Sequence, residues 1–439
     1  MEKNNPKITR AWCFYDWANS VHSLVIISTI FPIYYGAVAQ QADSSSMVNF
    51  LGWQLDSSVL FSYSISFSYL VIALINPLLT AIADYSGRKK MFLQIFCYLG
   101  SISCAGLFFF TNETFTVSMF LFMFSAMGWT GSIVFYNSYL PDIATEDQFD
   151  KLSARGFAIG YLGSVLLLIF NLALVLQPTL FGLDPANTSL PPRIAFLTTG
   201  IWWFGFAHYT LYYLPKYTHR KARTGSWLLN GFRELKQVFG QVQQMAFLKR
   251  FLLSFFFYSM GVQTVMYVAT VFGDKELHLE ASKLILTILI LQLVAIAGAY
   301  GFARLSGRIG NIKTLVLAVL IWVGICGGAY FVYTEYAFYL LAAVVGLVMG
   351  GIQSMSRSTY SKLIPAHTTD TASFFSFYDI TEKLAIILGT FSYGVIAQVT
   401  GSMRNSVLAL MAFFVLGLFC LLTIKDRKTE SSPQALPVT

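Results

Sequence analysis

Apolar residues fall into twelve runs along this chain, each long enough for a helix to cross the hydrocarbon of a bilayer, with shorter polar stretches between them. The runs cover residues 11–38, 57–83, 91–111, 115–140, 153–177 and 193–215, then 246–272, 281–303, 314–333, 336–360, 373–399 and 402–424. They are numbered spans 1 to 12 below. A lipid core offers backbone groups no water, so open runs of this length are predicted to be helices. One long charged stretch interrupts the series, and within it Trp227 to Val242 has the period of a short amphipathic helix. The pattern predicts an all-α integral membrane protein with six spans in residues 1–215, a linker at 216–245, six spans in 246–424 and a tail at 425–439. The linker's simplest role is a tether between halves, with regulation as the alternative.

The two sets of six carry matching phrases. Ala83-Asp84-Tyr85-Ser86-Gly87-Arg88-Lys89-Lys90 follows span 2, and Ala303-Arg304-Leu305-Ser306-Gly307-Arg308 follows span 8, 220 residues later. Arg155-Gly156-Phe157-Ala158 in span 5 and Phe375-Ser376-Phe377-Tyr378 in span 11 have the same spacing. Parallel six-span repeats predict two pseudo-symmetric bundles and a transporter architecture. In the first copy Gly87 permits a tight turn, Arg88, Lys89 and Lys90 hold the loop at one face, and Asp84 can accept donors from a neighbouring helix end. These residues form a conformational latch or a plain topology anchor. Arg304 stands where the second copy would carry its acid, which leaves that copy mainly an anchor.

Composition narrows the class. The 439 residues are 56% apolar and 11% charged, with a mean hydropathy of +0.62, values outside those of a soluble domain. A formal charge of +8 reads as orientation in the bilayer rather than as a nucleic-acid partner. With the N-terminus inside, only Arg193, Lys275, Lys283 and Arg404 fall outside and Arg357 and Lys383 fall within spans; the other basic residues are inside. Both termini and the linker are therefore expected in the cytoplasm. The five cysteines lie in apolar runs and read as small buried hydrophobes. No Walker loop, zinc motif or nucleophile elbow occurs, so neither an enzyme nor a cofactor or metal site is expected.

Charges inside spans mark candidate function. Asp16 shares a helical face with Asn19, Ser20 and Ser23, a polar stripe suited to a water-filled cavity or to a closely packed helix. Arg357 stands roughly 6 Å in from the inner end of span 10 and Asp16 about 8 Å in from the same side, by the helical rise. They could grip the two ends of an amino acid or close the inner mouth as a gate pair; snorkelling of Arg357 is the plainer alternative. Asp379, Glu382 and Lys383 fall within one turn of span 11. Asp379 can pair with Lys383, which leaves Glu382 a candidate for protonation, and the group serves either proton coupling or the positioning of span 11 against span 2. His22 and His208 read as satisfied core or interfacial residues.

The loop after span 2, with Asp84, Gly87, Arg88 and Lys89, resembles the Gly-x-x-x-Asp-Arg-x-Gly-Arg-Lys signature of the major facilitator superfamily, with Thr80 and Tyr85 in place of its first glycine and first basic residue. Tyr15-Asp16-Trp17-Ala18-Asn19-Ser20 in span 1, Gln353-Ser354-Met355-Ser356-Arg357-Ser358-Thr359-Tyr360 in span 10, and Phe374-Phe375-Ser376-Phe377-Tyr378-Asp379 with Gly389 in span 11 resemble the autophagy-related vacuolar amino-acid effluxers and their bacterial relatives. That resemblance implies twelve helices in two bundles, a cavity lined by spans 1, 4, 7 and 10, and secondary transport of a small organic solute, with amino-acid efflux the first expectation and a sugar, a peptide or a transport-inactive scaffold the alternatives. In such a cavity Ser132 and Tyr136 on span 4, Gln263 and Tyr267 on span 7, and Gln353 on span 10 would face inward beside Trp129. It further implies a monomer in a bacterial inner membrane, with lipid and a small solute as partners, protons as the candidate coupling ion, and no nucleic acid.

Overall fold

A computed structural model describes residues 2–41, 47–216, 227–400 and 403–424. All twelve predicted spans are helical. They run Pro6–Ala39, Ser57–Ser86, Lys89–Phe109 and Phe115–Ile143, then Phe149–Leu176, Leu190–Tyr213, Ala246–Leu277, Ala281–Ile309, Asn311–Tyr330, Glu335–Leu363, Thr371–Thr400 and Met403–Leu422. By length and apolarity alone ten helices among the described residues could cross a membrane, and an eleventh joins them if Leu229–Gln244 is counted with Ala246–Met266. Span 6 falls outside that count. It is a helix of 24 residues, but Arg193, His208 and its run of Trp and Tyr dilute its apolar character, as is usual for side chains that sit at the two interfaces.

Helix contacts repeat from one half to the other. Span 1 packs on spans 5 and 6, span 3 on spans 4 and 6, and span 2 on span 4; span 7 packs likewise on spans 11 and 12, span 9 on spans 10 and 12, and span 8 on span 10. Between halves, span 2 meets span 11 and span 8 meets span 5, so the seam obeys the same two-fold relation. The chain is thus two pseudo-symmetric six-helix bundles. For reference, the end of the molecule that carries residue 6, the span 2–span 3 loop and the end of span 10 is called the basic end.

Two local features lie beyond the hydropathy pattern. Span 1 changes from α to π geometry over Ser23–Thr29, and Thr29 Oγ1 donates to the Leu24 carbonyl at 2.6 Å; such bulges are frequent at functional sites. A hairpin of Met47–Phe50 and Trp53–Asp56 joins spans 1 and 2 at the end opposite the basic one. The linker helix forms over Trp227–Gln244, close to the predicted bounds, and packs against spans 2, 7 and 11. Span 2 remains one helix through Pro77.

Spans 8 and 10 cross so closely that a Cβ on Gly350 would strike the carbonyl of Ala295, backbone that cannot move aside. Gly324, by contrast, faces open space. Gly350→Val is expected to cost about 1–3 kcal/mol as overpacking and to lower the thermal unfolding midpoint in detergent, whereas Gly324→Ala should leave it unchanged or slightly raised; equal midpoints for the two variants would contradict this packing.

Candidate functional site

The cavity begins from a charge that the second half inserts into the first. Arg357 on span 10 is 2% exposed, and its polar partners all lie in spans 1, 4 and 5. Its Nη1 and Nη2 each donate to Asp16 Oδ2 at 3.2 Å, Nη1 also to Asn137 Oδ1 at 3.2 Å, Nε to Ser153 Oγ at 2.9 Å and Nη2 to the Ser153 carbonyl at 2.9 Å. The guanidinium carbon stands 4.2 Å from the Phe157 ring centre and 4.8 Å from that of Trp12, so its faces are covered by π systems that favour a cation. Asp16 takes a further hydrogen bond at 2.8 Å from the Tyr136 hydroxyl. Tyr136 is itself fixed by stacking on Trp12, whose Nε1 donates to the Tyr136 carbonyl. Such a pair stays in an apolar bundle because every donor of the guanidinium is answered.

Room for the pair comes from Gly156 on span 5. A Cβ there would run into Asp16 Oδ2 and Arg357 Nη2, so the residue that looked like a helix-opening repeat position is what lets spans 1, 5 and 10 converge. Ser153 completes the crossing by donating to the Ser354 carbonyl at 2.7 Å.

On the far side of this floor lies a cavity of about 240 Å³. Its lining on span 1 runs from Asp16 to Ser28 and on span 10 from Met349 to Arg357, so on both helices the pair is the lining position nearest the basic end. Asn19, Ser20, Tyr136, Gln263 and Gln353 line it, as does Trp129. Ser132 donates back to the Trp129 carbonyl at 2.8 Å and is not a lining residue. The side chain of Tyr267 lies outside the described residues. Thr130 and Gln292 are lining residues that the sequence pattern did not single out, and Thr130 Oγ1, Gln292 Oε1 and Trp129 Nε1 have no hydrogen-bond partner among the described residues. Tyr161, also missed, crosses the seam to donate to Gln353 Oε1 at 2.6 Å.

Opposite the floor pair stand the charges of span 11. Asp379 pairs with Lys383 and accepts from Asn76 Nδ2 of span 2 at 3.0 Å. Glu382 accepts from Gln263 Nε2 at 3.2 Å. All three charged residues line the cavity, which therefore presents the carboxylates of Asp16, Asp379 and Glu382 against the cations Arg357 and Lys383. His22 and His208 lie apart from it: His22 is buried against Ser125, and His208 bonds Tyr98 at the surface.

Nearer the basic end, two contacts join the halves. Asp84 accepts the backbone N–H of Ala372 at 3.2 Å and that of Ser373 at 2.7 Å, plus the Ser373 hydroxyl at 2.8 Å; it caps the first turn of span 11, where orphan donors and the helix dipole favour an anion. Gly87 takes the left-handed φ of 67° that closes span 2, and Lys89 bridges Asp84 at 3.6 Å and Asp142 at 2.6 Å while reaching Thr371. Arg88 precedes span 3 as its N-cap. The second copy differs from its reading as an anchor. Its Ser306 donates to Asp150 of span 5 at 3.0 Å, joined by Asn311 at 2.8 Å and Lys362 at 2.7 Å. Arg304 occupies the place of the acid at the end of span 8, and the partner bundle supplies an acid, Asp150, instead.

Comparison with known proteins agrees with this architecture. The family model described as "Vacuole effluxer Atg22 like" matches residues 4–432. The MFS-type transporter YxiO of Bacillus subtilis is 32% identical over 99% of both chains. Autophagy-related protein 22 of Yarrowia lipolytica is 22% identical over 90% of this chain and 80% of its own. Among solved structures, the proton:xylose symporter XylE superposes with a TM-score of 0.73 over 95% of both chains at 14% identity, and the fucose transporter FucP in the outward conformation with 0.70 over 96% and 99%. At such identity these two speak for the fold alone.

Removing one member of the buried pair should release the basic end. Asp16→Asn strands the Arg357 charge at a cost of about 3–5 kcal/mol to the state in which the halves meet. Maleimide labelling of a cysteine at Ser354 should quicken accordingly, and Gly156→Ala, which alters no charge, should act in the same direction. The double variant Asp16→Asn/Arg357→Gln should label more slowly than Asp16→Asn alone; if it labels faster, the pair does not hold the halves together.

Proposed function

The chain belongs to the vacuole effluxer Atg22-like family, and on that premise we propose that it is a secondary transporter of amino acids, working by alternating access with residues 1–215 and 246–424 as its two moving units. The observation that carries this reading is the Asp16–Arg357 pair, a salt bridge between the units at the floor of a largely apolar cavity that holds a few charged and polar groups. An amino acid brings a carboxylate for the Arg357 fork and an ammonium for Asp16. A zwitterion seated there takes over both halves of the bridge, so binding competes with closure and links the solute to the opening of the floor. The cavity volume of about 240 Å³ suits such a solute better than a drug-sized one, whose sites run from about 300 to 1,000 Å³.

The excess of Lys and Arg makes the basic end cytoplasmic. The described state is then closed toward the cytoplasm by the pair and by the Asp84 and Asp150 contacts, with the cavity beyond them, and both termini lie on the cytoplasmic side of a bacterial inner membrane. Efflux loads the solute from the cytoplasm once these contacts part. Glu382 is the proton carrier in this scheme: among the described residues it accepts a side-chain hydrogen bond from the neutral amide of Gln263, and protonation removes the cavity's excess negative charge. The transporter acts as a monomer, without cofactor.

Counterflow in proteoliposomes tests both parts. Accumulation of labelled amino acids, but not of sugars or dipeptides, is expected, with a loss of at least about tenfold in Asp16→Asn, since one charge-assisted bond to the solute is worth about 1.5–3 kcal/mol. Absence of counterflow for every solute tried would leave a transport-inactive scaffold instead. Glu382→Gln should keep exchange yet lose its response to an imposed pH gradient; an unchanged response would remove Glu382 from coupling.

A further inference from the structure

The linker helix Trp227–Gln244 meets the start of span 7 at a bend of 93°. Span 7 crosses the bilayer, so the helix lies along the membrane plane. It sits beside the basic ends of spans 2 and 11, with Gly231 against Ile82, Phe239 against Phe377 with ring centres 6.0 Å apart, and Asn230 Nδ2 donating to the Tyr85 hydroxyl at 3.0 Å.

Three stripes run along it. Gly231, Glu234, Val238 and Val242 are buried against the bundle. Phe232, Leu235 and Phe239 recur at i, i+3 and i+7 on one flank, with Phe232 58% and Phe239 48% exposed. Arg233, Lys236 and Gln237 form the third stripe and are exposed. The single acid of the helix, Glu234, belongs to the buried stripe, so its exposed charges, Arg233 and Lys236, are both cations, and exposed Lys249 and Arg250 follow at the start of span 7. An apolar flank beside a cationic flank, on a helix parallel to the membrane, is the arrangement of an interfacial helix that sinks aromatics among acyl chains and sets its cations at the headgroups.

We propose that this helix binds anionic phospholipid headgroups of the surrounding leaflet and, so anchored, braces the seam where span 2 meets span 11. The occupant follows from position and charge: Gly231 sits on Leu78 and Ile82, which carry on the i, i+4 row of the exposed Leu70 and Leu74 toward the basic end, and Phe232 and Phe239 are exposed beside it; cations near a bilayer surface attract anionic lipid. Through Asn230 and Tyr85 the helix holds the residue next to Asp84, so headgroup binding and the cap on span 11 share one short path.

The test uses the full chain in nanodiscs of phosphatidylcholine with phosphatidylglycerol. A fluorophore on Gln237→Cys, in a Cys420→Ser background, reports quenching by brominated forms of either lipid. At low salt, brominated phosphatidylglycerol should quench at roughly one-tenth the mole fraction needed for brominated phosphatidylcholine, given two adjacent cations. High salt and Arg233→Gln/Lys236→Gln should each abolish that preference, while Phe232→Ser/Phe239→Ser should weaken quenching by both lipids alike. Equal quenching by the two headgroups at low salt, or a preference that survives the charge-removing variant in protein with an unchanged unfolding midpoint, would overturn the proposal.

Discussion

Arg357 sets the terms for the rest of the molecule, because a guanidinium taken out of water must have its donors answered, and this one is answered from the opposite bundle. Its own helix offers span 10 backbone, already engaged in helical hydrogen bonds, while Asp16, Asn137 and Ser153 all come from the first half. The charge is therefore an obligate bridge. When the halves part at this end, a guanidinium and a carboxylate must both find water or a ligand, and the penalty for finding neither is several kcal/mol per ion. The narrow approach at Gly156, the hydroxyl of Tyr136 and the rings of Trp12 and Phe157 serve that one requirement.

The contacts nearer the basic end follow the same logic with different parts. Asp84 neutralises the positive end of span 11 and brings Lys89 with it; Asp150 gathers Ser306, Asn311 and Lys362. The pseudo-two-fold axis relates the places, not the residues. A carboxylate sits at the end of the repeat helix at one seam and on the facing helix at the other, so each seam has an acid and a cation although the repeat sequences differ. Duplication thus preserved the need for a paired charge at each seam and left free which strand of the contact supplies it.

How much of this the sequence discloses depends on whether a feature is local. The twelve helices, the amphipathic linker helix and the turn at Gly87 follow from apolar run length, period and a glycine in a left-handed position, all readable within one segment. The Asp379–Lys383 pair is local too, at i and i+4. The partnership of Asp16 with Arg357 was legible as equal depth and opposite charge, yet its place as the cavity lining nearest the basic end was not, because depth says nothing about where along a helix the cavity stops. Asn137, Ser153 and Thr130 are small polar residues of a kind common in any packed membrane helix, and Gln292 is a lone amide on a span outside the four expected to line the cavity. Gly156 carried a readable signal, since Gly156, Gly160 and Gly163 make a small-residue face, but that pattern marks close packing rather than an ion pair. The π turn at Ser23–Thr29 has no sequence signature in an apolar run, and Asp150 was hidden because its partners lie 156 and more residues away.

A solute can open the floor only through a difference in affinity between the two states, since one that binds both equally shifts nothing however tightly it is held. The pair creates that difference. While Asp16 and Arg357 satisfy each other, a zwitterion offers them little; once they separate, each is a buried ion without a counter-charge, and the same zwitterion answers both. The affinity gap is then set by the desolvation that the bare pair would suffer, a quantity of the same order as the closure it must offset. On the proposed reading a neutral sugar differs from a zwitterion in this respect: its hydroxyls satisfy donors but cancel no charge, so the separated pair would keep more of its desolvation penalty.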